Sequence, residues 1–121
     1  MNKTRKLIKD YEGYEFSSGG VTGEDFKSFA RNFFNVIKEQ IGEEGALIKR
    51  SPNHYDLSGF VQNNETGKIA YFSISDVRYF RDEWIDHVLI RTAEHDRDFR
   101  GGRNQYTPLL DFGETFLRIT Q

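Results

Sequence analysis

The chain has 121 residues, a net charge of −2 and 15% aromatic residues, 11 of them Phe. This length fits one domain with its own core, and the charged fraction of 30% is that of a globular protein. The lack of cysteine excludes a disulfide framework, a thiolate metal site and a cysteine nucleophile. No stretch approaches the ~20 apolar residues of a membrane span, and no signal-peptide pattern follows Met1. We therefore expect a cytoplasmic protein with no membrane partner.

The basic residues are unevenly distributed. Every Lys lies at or before Lys68, and every basic residue after it is Arg. Arg contacts carboxylates and phosphates through two parallel hydrogen bonds and stacks on rings, which Lys does not do. The Arg-only second half of the chain therefore indicates a recognition surface. Codon or lineage bias, together with ordinary ion pairs on the surface, would produce the same distribution of Arg and Lys. The net charge of −2 argues against a generic basic nucleic-acid binder.

Residues 1–21 are predicted to be a lead-in to a single α+β domain over 22–121. Apolar residues such as Leu7 and Tyr11 can dock on the domain, whereas Ser-Ser-Gly-Gly at 17–20 interrupts any regular element. A short docked helix or strand and a flexible tail are both compatible with this segment.

A long amphipathic helix is predicted over 23–41. Apolar residues from Phe26 to Ile41 recur at spacings of three and four, which places them on one helical face. Thr22 and Asp25 resemble a capping box at its start, and a glycine follows its end.

The rest of the chain predicts a meander of strands and a final helix. The strands are expected over 46–50, 55–62, 68–75 and 84–90. Gly59 marks either a bulge or a close approach of two backbones. Thr107 and Pro108 predict the start of the last helix, in which Gly113 is unfavourable. We therefore predict an α+β fold with a single antiparallel sheet of about four strands, and with both amphipathic helices packed on one face.

Residues 76–83 have two interpretations, a helical turn capped by Ser75 or Asp76 and an irregular crossover. If Phe80 and Trp84 face the core, the polar side of this segment is exposed. Arg, Tyr and Trp are enriched at the energetic centres of protein interfaces. Three residues of this segment are therefore candidate binding residues: Arg78, Tyr79 and Arg81.

A long loop is predicted over 91–106, which contains four Arg and three acidic residues. Loops longer than ~12–15 residues are uncommon in compact domains and are often functional. Backbone N–H groups between Arg100 and Arg103 can cradle an anion, and the aromatic residues on either side can stack on bases. A Gly-Gly turn with solvated charges explains the same sequence. The candidate binding residues of this loop are Arg97, Phe99, Arg100, Gly101, Gly102, Arg103, Asn104 and Tyr106.

Four residues of the loop offer oxygen or imidazole ligands: Glu94, His95, Asp96 and Asp98. Adjacent residues do not all converge on one ion, and the neighbouring Arg residues compete for the carboxylates. No serine stands in a Gly-x-Ser-x-Gly elbow. We therefore predict no catalytic residue, no metal ligand and no cofactor. The third and weakest-supported hypothesis is a small hydrolase or metal-dependent enzyme that uses these four residues.

The leading hypothesis is a small non-catalytic binding protein that acts on a macromolecular partner, which is a protein or a ribonucleoprotein. In composition the chain is analogous to phage and mobile-element proteins, including inhibitors of host defence nucleases such as anti-CRISPR proteins. The second hypothesis is direct nucleic-acid binding through residues 97–106.

Overall fold

The computed structural model describes residues 2–16, 20–80 and 86–121. In these ranges the chain folds into three helices and one antiparallel sheet of five strands, ordered β1-β2-β3-β4-β5. The helices are α1 (Lys3–Tyr11), α2 (Glu24–Ile41) and α3 (Phe112–Ile119). The strands are β1 (Gly45–Asn53), β2 (Asp56–Asn63), β3 (Ile69–Ile74), β4 (His87–Ala93) and β5 (Gln105–Pro108). The predicted α+β fold is confirmed, with one strand more than expected.

Single 3₁₀ turns lie at Gly20–Thr22, Gly42–Glu44, Val77–Tyr79 and Leu109–Asp111. Among the helices in the described ranges, none combines the length and apolar content that a membrane crossing requires.

The α2 helix forms the centre of the core. Its residues Phe29 and Phe33 are fully buried, and burying each ring contributes roughly 1.5–3 kcal/mol relative to an exposed one. Thr22 was expected to be the N-cap residue of a capping box, and this is wrong, because the N-cap residue is Gly23. The carboxylate of Asp25 instead accepts a hydrogen bond from the Glu15 backbone N–H, at 2.9 Å.

The α1 helix packs against α2 and holds the turn that follows β3. Its N-cap residue, Asn2, accepts a hydrogen bond from Thr4 N at 2.7 Å. At its other end, the buried Tyr11 hydroxyl donates to Val77 O at 2.5 Å and accepts from Phe80 N at 3.2 Å. Since these bonds fix both ends of the Val77–Tyr79 turn, α1 determines where that turn lies.

Within the described residues, the helices pack against one face of the sheet. Alternate residues of the central strands, such as Phe72 of β3 and Ile90 of β4, are fully buried on the helical side. Gly59 of β2 lies beside Phe72, and a Cβ there would stand 2.4 Å from Lys49 O and 2.8 Å from the Phe72 ring. The prediction that Gly59 marks a close backbone approach is confirmed.

The predicted helix start at Thr107 and Pro108 is wrong, because both residues belong to β5. Thr107 is buried, and its hydroxyl lies 2.9 Å from that of Thr115 on α3. Pro108 is tolerated because β5 is an edge strand, whose outer edge has no neighbouring strand to receive a backbone N–H. The helix begins later, at Phe112. Because β4 also continues to Ala93, the predicted long loop shortens to residues 94–104.

Candidate binding surface

Within the described residues, no helix covers the second face of the sheet. We call this surface the open face and define it by the outward side chains of β1–β5, the loop 94–104 and the turn Val77–Tyr79. Strand register aligns its residues in two rows that cross the sheet. One row contains Phe60, Tyr71 and Arg91. The other contains Ser58, Ser73, Leu89 and Tyr106.

The loop 94–104 folds back onto the first of these rows. The Phe99 ring lies 5.3 Å from the ring of Phe60 and 5.9 Å from that of Tyr71, between centroids. Lys49 closes the side of this cluster, with its ammonium 5.4 Å from the Phe99 centroid and 3.3 Å from Asp96 O. Phe60 is fully buried as a result, although it points away from the helices. The open face therefore has a small core of its own.

Arg91 is the residue that fixes the loop to the sheet. It is buried, and its guanidinium lies 4.5 Å from the centroid of the Tyr71 ring. The same group donates to Asp98 O at 2.7 Å and to Thr92 O at 3.2 Å. Arg91 is thus a structural residue of β4 and is not available to a partner.

Asp98 organises the loop from inside. Its carboxylate accepts hydrogen bonds from the backbone N–H groups of Glu94 at 3.1 Å, Arg100 at 3.3 Å and Gly101 at 2.8 Å. Gly102 follows with a φ of 77°, in the left-handed region that favours glycine. Two N–H groups of the predicted anion cradle, those of Arg100 and Gly101, therefore do bind an anion, but the anion is the chain's own carboxylate.

The bonds to Asp98 make the loop sensitive to acid. The hydrogen bonds from the Glu94 and Gly101 N–H groups, followed by the bond from Arg100, lower the pKa of Asp98 from its ordinary value. A carboxyl whose pKa is lowered by folding stabilises the protein above its unfolded pKa, about 3.9 for Asp, and this contribution is lost as the pH falls through the lowered value. We expect Asp98→Asn to lower the urea midpoint at pH 7 and the gap to the wild type to close below about pH 4. A gap independent of pH would contradict this assignment.

Three arginines of the loop point into solvent. Arg97, Arg100 and Arg103 are exposed, and within the described part of the chain their guanidinium groups make neither a hydrogen bond nor an ion pair. Asn104 is exposed next to them. The backbone beneath them is ordered by Asp98, so unpaired guanidinium groups stand on a fixed base.

For residues 76–80, the turn Val77–Tyr79 confirms the interpretation of a helical turn capped by Asp76, and residues 81–83 of that interpretation lie outside the described residues. Asp76 accepts from the backbone N–H of Arg78 at 3.0 Å, and from its side chain at 3.1 Å (Nε) and 2.8 Å (Nη2). These bonds lower the pKa of Asp76, the side-chain bond most of all. The Arg78 guanidinium also lies 4.4 Å from the Tyr55 ring centroid. Arg78 is therefore already paired, whereas the predicted binding residue Arg81 lies outside the described residues.

A pocket of about 120 Å³ opens on the open face between Tyr79 and Tyr106. Tyr79, Phe99 and Tyr106 are 48%, 52% and 51% exposed, so each of these residues presents part of its surface to solvent. The other lining residues were missed by sequence reasoning: Ser73, Ile74, Ser75, Asp76, Phe80, His87 and Leu89. Strand alternation predicts that Ser73 and Leu89 lie on the face of the sheet away from the buried Phe72 and Ile90. It does not predict that they lie beside the tyrosines.

The four potential ligands of the enzyme hypothesis do not converge. His95 accepts a hydrogen bond on Nδ1 from Arg97 N at 3.1 Å, and the Asp98 carboxylate is bound to the loop backbone. In the described ranges, no group of three or more His, Asp or Glu side chains is arranged to hold a metal ion.

Comparisons with protein-family models, with curated proteins and with solved structures each find no match for this chain.

Proposed function

We propose that this chain is a small non-catalytic binding protein that docks on a protein or ribonucleoprotein partner through its open face. The observation that supports this most is the presence of three exposed aromatic rings, those of Tyr79, Phe99 and Tyr106, on one face of the sheet. Aromatic side chains that a monomer leaves in solvent on one surface mark an interaction site, and Tyr and Arg supply much of the binding energy at protein interfaces.

The charges of the loop favour a protein over naked nucleic acid. Glu94 and Asp96 are exposed among the arginines, so the loop presents both signs of charge. The N–H groups of Arg100 and Gly101, which would suit a phosphate, are bound to Asp98. A net charge of −2 gives the chain no general attraction to a polyanion. Direct nucleic-acid binding would instead show a steep loss of affinity with salt.

A finer proposal concerns the role of the complex. The composition resembles that of phage and mobile-element proteins, and on this analogy the chain acts in the cytoplasm as an inhibitor of a host defence nuclease. Addition of the purified protein to such a nuclease should reduce cleavage of its target. Addition of the variant with Tyr79→Ala and Tyr106→Ala should not. Equal cleavage with and without the protein, across the nuclease classes of the host, would contradict this role.

The docking surface is tested by Tyr79→Ala combined with Tyr106→Ala. Both side chains are about half exposed, so the variant should fold normally while it loses two anchors. An anchor worth about 2 kcal/mol changes affinity roughly 30-fold, and we expect the yield of co-purified partner to fall at least tenfold. Val21→Ala is a matched control, because Val21 is an exposed apolar residue, 40% accessible, that precedes α2 in the helical layer. Equal capture by both variants and the wild type would contradict the proposal.

A further inference from the structure

The pocket between Tyr79 and Tyr106 has the size of one side chain. Its volume of about 120 Å³ is close to that of a cavity of about 150 Å³ that admits benzene. Interfaces concentrate their binding energy in pockets that a single large side chain of the partner fills. The pocket therefore suits an anchor residue better than a diffusible cofactor of drug size, which needs about 300 Å³ or more.

The lining of the pocket favours an aromatic anchor with a polar atom. Leu89 contributes apolar surface from the outward face of β4, and the two tyrosine rings give the edge and face contacts that aromatic pairs prefer. Two other lining residues, Ser73 and Ser75, carry hydroxyl groups. Such groups can satisfy the N–H of an indole or the O–H of a phenol, which a purely apolar pocket would leave without a hydrogen bond.

Arg103, at the end of the loop, lies within reach of the same bound segment. Tyr106 follows Arg103 by three residues, a separation of at most about 11 Å. On β3, Ser73 in the pocket and Tyr71 beneath Phe99 are two residues apart on one face, a distance of about 7 Å. A segment of a few residues that fills the pocket therefore also passes beside the loop.

The chemistry of the loop specifies discrete anionic groups. Guanidinium groups bind carboxylates in a bidentate manner, and those of Arg97, Arg100 and Arg103 are unpaired within the described residues. A phosphodiester chain would bring an unbroken row of negative charge against Glu94 and Asp96, whereas a polypeptide can place its carboxylates individually and avoid them.

We propose that the partner's docking segment is an acidic polypeptide stretch that inserts one aromatic side chain between Tyr79 and Tyr106. Its neighbouring carboxylates pair with Arg97, Arg100 and Arg103. This inference rests on the proposed function, and it names the chemistry of the partner that the open face accepts.

The probe is a seven-residue peptide with tryptophan at its centre and three acidic residues on each side, titrated into the ¹⁵N-labelled protein. We expect amide shifts at Ser73, Leu89 and Tyr106 and at residues 100–103. Replacing the tryptophan by alanine, or all six acidic residues by their amides, should each weaken binding at least tenfold. A ten-nucleotide oligothymidine is the nucleic-acid arm and should bind more weakly than the peptide.

Two variants separate the parts of the site. Arg100→Ala with Arg103→Ala should weaken binding of the acidic peptide at least tenfold and leave that of the amide peptide unchanged. Tyr106→Ala should weaken both. Arg5→Ala with Arg31→Ala is the matched control, because these exposed arginines lie on α1 and α2, and it should bind like the wild type.

The inference is overturned if the acidic peptide does not bind, if its amide form binds as tightly, or if the oligothymidine binds more tightly through the same arginines. These outcomes are distinct from failure of the proposed function, in which partner capture would be insensitive to Tyr79→Ala with Tyr106→Ala. A partner that is captured through the tyrosines but carries no acidic segment would leave the docking surface in place and remove this inference alone.

Discussion

Gly113→Ala is expected to destabilise the protein, although alanine is favoured over glycine in a helix by ~1 kcal/mol. Gly113 lies where α3 crosses the end of α2, and a Cβ there would stand 2.2 Å from Gln40 O and 3.0 Å from the carbonyl carbon of the same residue. Both are backbone atoms, so the two helices have to move apart. The Gly113 N–H also donates to Gln40 Oε1, at 3.1 Å. Overpacking of this kind costs roughly 1–3 kcal/mol or more, and we expect a net loss of about 2 kcal/mol.

Thermal unfolding measures this change, and about 2 kcal/mol in a chain of this length corresponds to a drop in Tm of roughly 8 °C. Glu114→Ala is the control, because Glu114 is the next residue of α3 and is exposed. Its effect should remain within about 0.5 kcal/mol. A Gly113→Ala variant as stable as the wild type, or more stable, would show that helix propensity outweighs the contact between α2 and α3.

The elements that sequence reasoning placed well are those with a periodic apolar pattern. The α2 helix was predicted because Phe26, Phe29, Phe33 and Ile37 recur on one helical face, and the same residues are buried in the structure. In the sequence, Gly113 is unfavourable for a helix. In the structure it allows α3 to approach Gln40, which lies 73 residues earlier in the chain. A local pattern contains no information about such a contact.

The fifth strand was missed for a related reason. Thr107 and Pro108 have the local chemistry of a helix start, but pairing with β4 decides their conformation, with Thr107 opposite Val88 and Pro108 opposite His87. Arg91 belongs to the predicted loop 91–106, but in the structure it is a buried residue of β4. Its burial is possible because Tyr71 and the Asp98 carbonyl receive the guanidinium.

The candidate site was predicted in part. Arg97, Arg100 and Arg103 are exposed on a short ordered loop, and Tyr79 and Tyr106 are exposed on one face of the sheet. The pocket that joins the two tyrosines depends on strand order and register, which place Ser73 and Leu89 between them. Single-sequence reasoning predicts which face of a strand a residue occupies but not which strand lies next to it.

The small core of the open face is the feature that connects stability with the site, and Phe60→Ala tests it. Phe60 is fully buried although it lies on the side of the sheet away from the helices, beneath Phe99 and beside Tyr71. Removing a buried Phe side chain costs about 3–5 kcal/mol, and we expect a loss in this range. Phe99→Ala should cost less, because about half of that ring is already in solvent. Urea unfolding of the two single variants measures both effects.

The double variant decides whether the two rings act together. If the loop 94–104 is docked through Phe99 on Phe60, the two losses are not additive, and their coupling should be about 0.5–1.5 kcal/mol, as for other aromatic pairs. Phe60→Ala should then also weaken partner capture, because the loop that carries Arg97, Arg100 and Arg103 loses its contact with the sheet. Phe112→Ala removes an equally buried ring from the helical side and is the control, since it should destabilise the protein without coupling to Phe99→Ala. Additive losses for Phe60 and Phe99 would mean that the loop does not depend on the sheet beneath it.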